Sequence, residues 1–142
     1  MMKYFVSFLC SLILAFGILP TADAATVSRL TWADRNETAP HFVRIVLDLS
    51  ESVTGEAYLS KDGLTVNVVL LETDIGAGVP EAYTVSAGAV NTISLWKSGG
   101  NLILSAKLKH TIDPSGVKIF PLAPDAKAGR PQRLVLDIPS KG

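Results

Sequence analysis

"RIVLDLS", Arg44 to Ser50, and "RLVLDIP", Arg133 to Pro139, are nearly the same phrase, written about ninety positions apart in one chain. Each alternates apolar and polar side chains with a period of two, the mark of a strand with one face buried. In the first, Val43, Ile45, Leu47 and Leu49 share a face, with Arg44, Val46 and Asp48 opposite. In the second, Leu134, Leu136 and Ile138 point inward. If the two strands lie side by side and antiparallel, with Val46 opposite Val135, then Arg44 falls opposite Asp137 and Asp48 opposite Arg133. A parallel arrangement would bring like charges together. Opposite charges across strands contribute about 0.2–1 kcal/mol each, so the phrase reads as a pairing code and not as a repeated catalytic motif.

The same alternation recurs through the rest of the chain. "LTVNVVLL" sets Leu64, Val66, Val68 and Leu70 inward and Thr65, Asn67, Val69 and Leu71 outward. "NLILSAKLK" sets Leu102, Leu104, Ala106 and Leu108 against Ile103, Ser105, Lys107 and Lys109. Turn formers separate these runs: Lys61-Asp62-Gly63, Ser98-Gly99-Gly100-Asn101 and Asp113-Pro114-Ser115-Gly116. Glycine there is free to take the positive φ that tight hairpins require. No stretch has a convincing helical period; the nearest, around Pro80 to Tyr83, is one turn at most. Strands are therefore expected over 42–50, 55–60 and 64–71, and again over 101–109, 117–122 and 132–138. Each set forms a three-strand meander preceded by a strand ending in tryptophan, "VSRLTW" to Trp32 and "TISLW" to Trp96. Short strands at hairpin spacing without interleaved helices predict an all-β fold, an antiparallel β-sandwich.

The first 24 residues read as a secretory signal peptide: Lys3, an apolar run from Tyr4 to Leu19, Pro20, and Ala22-Asp23-Ala24 as the cleavage site. The run falls short of the roughly 20 apolar residues that span a bilayer, so no stable membrane insertion is expected after cleavage. The only cysteine, Cys10, lies in this leader. A single domain over 25–142 would then fold without disulfides, thiolate metal sites or a thiol nucleophile. The full chain holds 13 basic and 13 acidic residues. Removing Lys3 and Asp23 leaves the balance at zero, without the basic excess that nucleic-acid binding demands.

Chemistry-bearing constellations are sparse. A hydrolytic zinc site needs three protein ligands, and His41 and His110 are the only histidines. There is no Gly-x-Ser-x-Gly elbow, and the glycine-containing loops Ile75–Val79 and Ser86–Val90 do not open helices as phosphate-cradling loops do. No cofactor is expected. Asn36-Glu37-Thr38 matches a glycosylation sequon, which matters only in a eukaryotic secretory pathway. Outward-facing Arg44, Asn67, Lys107 and Arg133 would form one mixed polar sheet face. Trp96, beside Lys97 and on the face opposite Ile93 and Leu95, could add an exposed ring, although large aromatics are buried on average and a structural role is expected for both tryptophans.

The pattern "RIVLDLSESVTGEAYLS...LTVNVVL", then "ISLWKSGGNLILSAKLK...VKIFPL", closing in "RLVLDIP", resembles the AMIN domain. That module precedes the catalytic domain of bacterial N-acetylmuramoyl-L-alanine amidases and occurs in secretin-type envelope proteins. The resemblance covers essentially all of residues 25–142 and rests on strand patterns rather than catalytic residues. It implies a sandwich of two small pseudo-symmetric sheets, in keeping with the repeat, that binds peptidoglycan in the periplasm or cell wall. It also implies a cell-wall amidase or another envelope protein as a partner. No zinc-dependent amidase domain follows Ile138 in this sequence, so no enzyme activity is carried over. The family's strand arginines and acidic residues fall on Arg44, Asp48, Arg133 and Asp137. The expected ligand-binding set is Arg44, Asn67, Trp96, Lys107 and Arg133. The alternative from another class is a protein–protein adaptor that pairs through an exposed sheet edge.

Overall fold

The structure, a computed structural model, describes residues 24–141; the leader, apart from Ala24, lies outside the described residues. Ten strands follow in order: β1 (Ala25–Arg35), β2 (Phe42–Leu49), β3 (Gly55–Leu59), β4 (Thr65–Leu70), β5 (Thr73–Ile75), β6 (Ala82–Ala87), β7 (Val90–Ser98), β8 (Asn101–Leu108), β9 (Lys118–Leu122) and β10 (Gln132–Pro139). They form two five-stranded sheets, a first in the order β5-β1-β2-β10-β9 and a second in the order β3-β4-β8-β7-β6. Every pairing is antiparallel except that of β5 with β1, which is parallel. The fold is the expected all-β sandwich.

The two near-identical phrases are β2 and β10, adjacent and antiparallel in the first sheet. Their register places Val46 opposite Val135, Arg44 opposite Asp137 and Asp48 opposite Arg133, as the charges require. The expected meanders are corrected. The chain leaves the first sheet after β2 and enters the second with β3 and β4, while the second half runs from β7 and β8 in the second sheet to β9 and β10 in the first. One sheet therefore contains β1-β2-β10-β9 and the other β7-β8-β4-β3, the same plan with the halves exchanged. A two-strand ribbon can bury its apolar face only against another layer, and the crossing gives each half that layer.

The inward residues pack as one core. Val43, Ile45, Leu47 and Leu49 of β2, Val66, Val68 and Leu70 of β4, and Leu102, Leu104 and Ala106 of β8 are all buried in a single cluster with Leu134, Leu136 and Ile138. Leu64 departs from its expected inward place: it stands 38% exposed in the turn that precedes β4. Strand β10 is buried on both faces, since Val135 and Asp137 are inaccessible as well. Two strands had no clear signal. β6 replaces the turn expected near Pro80 to Tyr83; it is an edge strand in which only Val85 is buried, so its sequence shows little alternation. β5 has three residues, too few to display a period. Lys97 of β7 ties that short strand to the second sheet, its ammonium donating to the Thr73 carbonyl at 2.8 Å and pairing with Asp74.

The predicted turns form. Gly63 closes the β3–β4 hairpin at φ +75° and Gly99 the β7–β8 hairpin at φ +63°. The Asp62 carboxylate accepts from the Ser60 hydroxyl and the Leu64 N–H, and both bonds hold its pKa below the ordinary carboxylate value. At the 3-10 turn Pro114–Gly116, Asp113 accepts from the Ser115 hydroxyl and N–H, with the same effect.

A lowered folded pKa contributes stability that is present above the unfolded value, about 3.9, and lost as pH falls through the folded one. Replacing both Asp62 and Asp113 by Asn is expected to flatten the acid limb of a urea-midpoint profile below pH about 4. Glycine substitutions separate strain from packing. Gly99→Ala meets no atom within 4 Å and should cost about 1 kcal/mol for its left-handed backbone. Gly88→Ala carries the same strain at φ +54° and also sets a Cβ 2.8 Å from the Val43 side chain. It is expected to lower the urea midpoint further than Gly99→Ala.

Candidate functional site

Cross-strand register arranges the outer face of the first sheet in three rows. Arg29, Asp48 and Arg133 make one; Thr31, Val46, Val135 and Phe120 the next; Ala33, Arg44, Asp137 and Lys118 the third. An apolar band thus runs between two charged ones. Over these rows opens a groove of about 620 Å³, bounded on one side by β1 and on the other by the β9–β10 connection from Ala128 to Pro131. That connection is a small hairpin: the backbones of Asp125 and Arg130 exchange N–H···O bonds of 2.9 and 2.8 Å. The Asp125 carboxylate accepts from the N–H groups of Lys127 and Ala128.

Five arginines line the groove: Arg29, Arg35, Arg44, Arg130 and Arg133. Three carboxylates oppose them, Asp48 in the wall, Asp137 beneath Arg44 and Glu37 paired with Arg35, an excess of two positive charges. The arginines differ in what they are free to do. Arg44 donates through Nε and Nη2 to the two oxygens of Asp137, both at 2.9 Å, a bidentate fork of the strong kind. Its guanidinium also lies 5.4 Å from the Phe42 ring centre and 5.5 Å from that of Phe120, within cation–π range. The hydrogen bond and charge of Asp137 hold the Arg44 guanidinium more firmly protonated than a free arginine, while burial acts the other way.

Arg133 does not reach Asp48, although the two are register partners. Its Nε donates to the Pro131 carbonyl at 3.1 Å and its Nη2 to the Ala123 carbonyl at 3.2 Å, pinning both ends of the β9–β10 connection. The second expected ion pair is therefore corrected: register sets the backbones opposite, but nearby carbonyls of the connection take the guanidinium. Among the described residues Arg29, Arg130 and Asp48 are in no ion pair.

The single polar face expected from Arg44, Asn67, Lys107 and Arg133 is also corrected. Arg44 and Arg133 belong to the first sheet, whereas Asn67, Lys107 and Trp96 lie on the outer face of the second, across the core. There the Trp96 indole N–H donates to Ser105 Oγ at 3.2 Å, and that hydroxyl donates to Asn67 Oδ1 at 2.6 Å. Both tryptophans stand at the surface: Trp96 is 49% exposed and Trp32, which lines the groove, 37%. For Trp96 the reason is phase, because its partner Ile103 also sits on the outward side of β8.

Sequence reasoning missed Arg29, Arg35 and Arg130. Arg29 carried a weak signal in the alternation of "VSRLTW"; Arg130 lies in an irregular connection and carried none. No protein-family model matches the chain, and no curated protein matches it.

Two aspartates on one face should differ sharply in what their removal costs. Asp137→Ala strands the partly buried Arg44 and is expected to cost about 2–3 kcal/mol, less than the ~3–5 kcal/mol of a fully buried pair because Arg44 keeps contact with water. Asp48→Ala removes no partner and should stay within about 0.5 kcal/mol. Urea denaturation of the two variants checks both.

Proposed function

We propose that this chain is an AMIN-like module of the bacterial envelope that binds peptidoglycan through the outer face of the first sheet and performs no catalysis of its own. The observation that carries the reading is the arginine-lined groove, a local positive excess on a chain whose net charge is zero. Peptidoglycan stem peptides end in free carboxylates, and guanidinium is the side chain best matched to carboxylate geometry. Trp32, at the margin of the groove, and half-buried Val46 supply the apolar surface that a sugar ring or an aliphatic side chain needs. A shallow site of this kind binds one repeat weakly, and the polymer supplies avidity. Such a module would hold cell-wall machinery, such as an amidase, at its substrate after export to the periplasm.

A second reading, an adaptor that pairs with another envelope protein, is favoured by one edge. β9 carries Lys118 and Pro121, β6 is broken by a register shift near Ser86, and β5 is three residues long, all features that discourage edge pairing. β3, "GEAYL", has neither lysine nor proline and is the least protected edge of the four.

Co-sedimentation of residues 25–142 with protein-free sacculi tests the wall reading. The native protein is expected to pellet at low salt and less so as salt screens the arginines. An Arg29→Ala/Arg130→Ala variant should stay folded and remain in the supernatant. Absence of binding at any salt would overturn the proposal and direct attention to β3. Arg44→Ala is unsuitable as the sole test, since it also removes the partner of Asp137.

A further inference from the structure

The groove is not uniformly positive, and its one lining carboxylate is placed where it is hardest to explain by folding. Asp48 stands between Arg29 of β1 and Arg133 of β10 in the same cross-strand row, and it pairs with neither. Arg133 is held by carbonyls of the β9–β10 connection, so the free groups facing the groove are two guanidiniums, Arg29 and Arg130, and one carboxylate. A binder of dense phosphate would gain nothing from that carboxylate, which repels the ligand. A ligand with both signs of charge uses it. Val46, half-buried one row away, offers an apolar floor for the methylenes between the charges.

The geometry points to a zwitterionic ligand, a peptide stem whose diamino-acid residue presents a free carboxylate to Arg29 and Arg130 and an ammonium to Asp48. This inference rests on the peptidoglycan reading and narrows it to the stem peptide, and within the stem to the residue that carries a side-chain amine. Asp48 then acts as a specificity group: it selects a free amine over an acylated one and so distinguishes uncross-linked stems from those whose amine is already in a peptide bond. Glycan length would matter only through avidity.

The test uses residues 25–142 and two synthetic stem peptides, one ending in a diamino acid with its side-chain amine free and one with that amine acetylated, titrated by calorimetry beside sacculus pelleting. The free-amine peptide is expected to bind about tenfold more tightly than the acetylated one, the worth of one charge-assisted hydrogen bond. Asp48→Asn should abolish that difference while leaving the affinity for the acetylated peptide unchanged or improved. Equal affinity of the native protein for both peptides, with sacculi still pelleted, would overturn the zwitterion inference and leave wall binding standing. Failure to bind sacculi and both peptides would overturn wall binding and this inference together.

Discussion

The pairing of β2 with β10 is the contact on which the rest of the structure depends. It joins strands about ninety residues apart, closes the first sheet and brings the second half of the chain back to the first. Alternation alone could not specify its register. A slip of one residue would turn the apolar faces outward, but a slip of two would keep every apolar residue inside. The charges exclude the second error, because it would set Arg44 opposite Val135 or Pro139 and leave Asp137 without its cation. Asp137 is almost wholly buried, and an unpaired carboxylate there would carry the full desolvation cost. The pair thus stabilises modestly and discriminates strongly.

That constraint also decides what the surface can offer. Arg44 is taken up by Asp137 and stacked near Phe42 and Phe120, so the residue that looked most like a ligand contact acts mainly as a register pin. Arg133 is taken up by carbonyls and positions the small hairpin that carries Arg130. The arginines left for a partner are ones whose neighbours in sequence gave them no prominence. Side chains that hold the groove together and side chains that face its occupant are different sets, built on the same strands.

Exchange of strands between the halves explains the two unlike faces. Because each half contributes to both sheets, equivalent positions emerge on opposite sides of the sandwich. In the equivalent registers of the two sheets, the central Val46–Val135 pair of the first corresponds to the Ser105–Asn67 pair of the second. Arg44–Asp137 corresponds to Ile103–Val69. One plan therefore produces a charged, grooved face and a largely uncharged one bearing Trp96, Ser105 and Asn67 in a hydrogen-bonded chain.

The sequence by itself determined the period of the central strands, the inward residues of β2, β4, β8 and β10, the hairpin glycines and the β2–β10 register. Burial of one face imposes alternation, a positive φ selects glycine, and opposite charges in two copied phrases admit one antiparallel match. It did not determine β5 and β6, because edge strands bury too little to impose a pattern. The sheet to which each strand belongs was likewise undetermined, since a crossing and a meander have the same alternation. The candidate site was the least legible part. A groove that gathers Arg29, Arg35 and Arg130 around Asp48 is a property of cross-strand rows and of a connection folded against them, and a zero net charge conceals such segregation. Only tertiary structure decides which charges satisfy one another and which remain facing solvent, because that depends on distances between residues far apart in the chain.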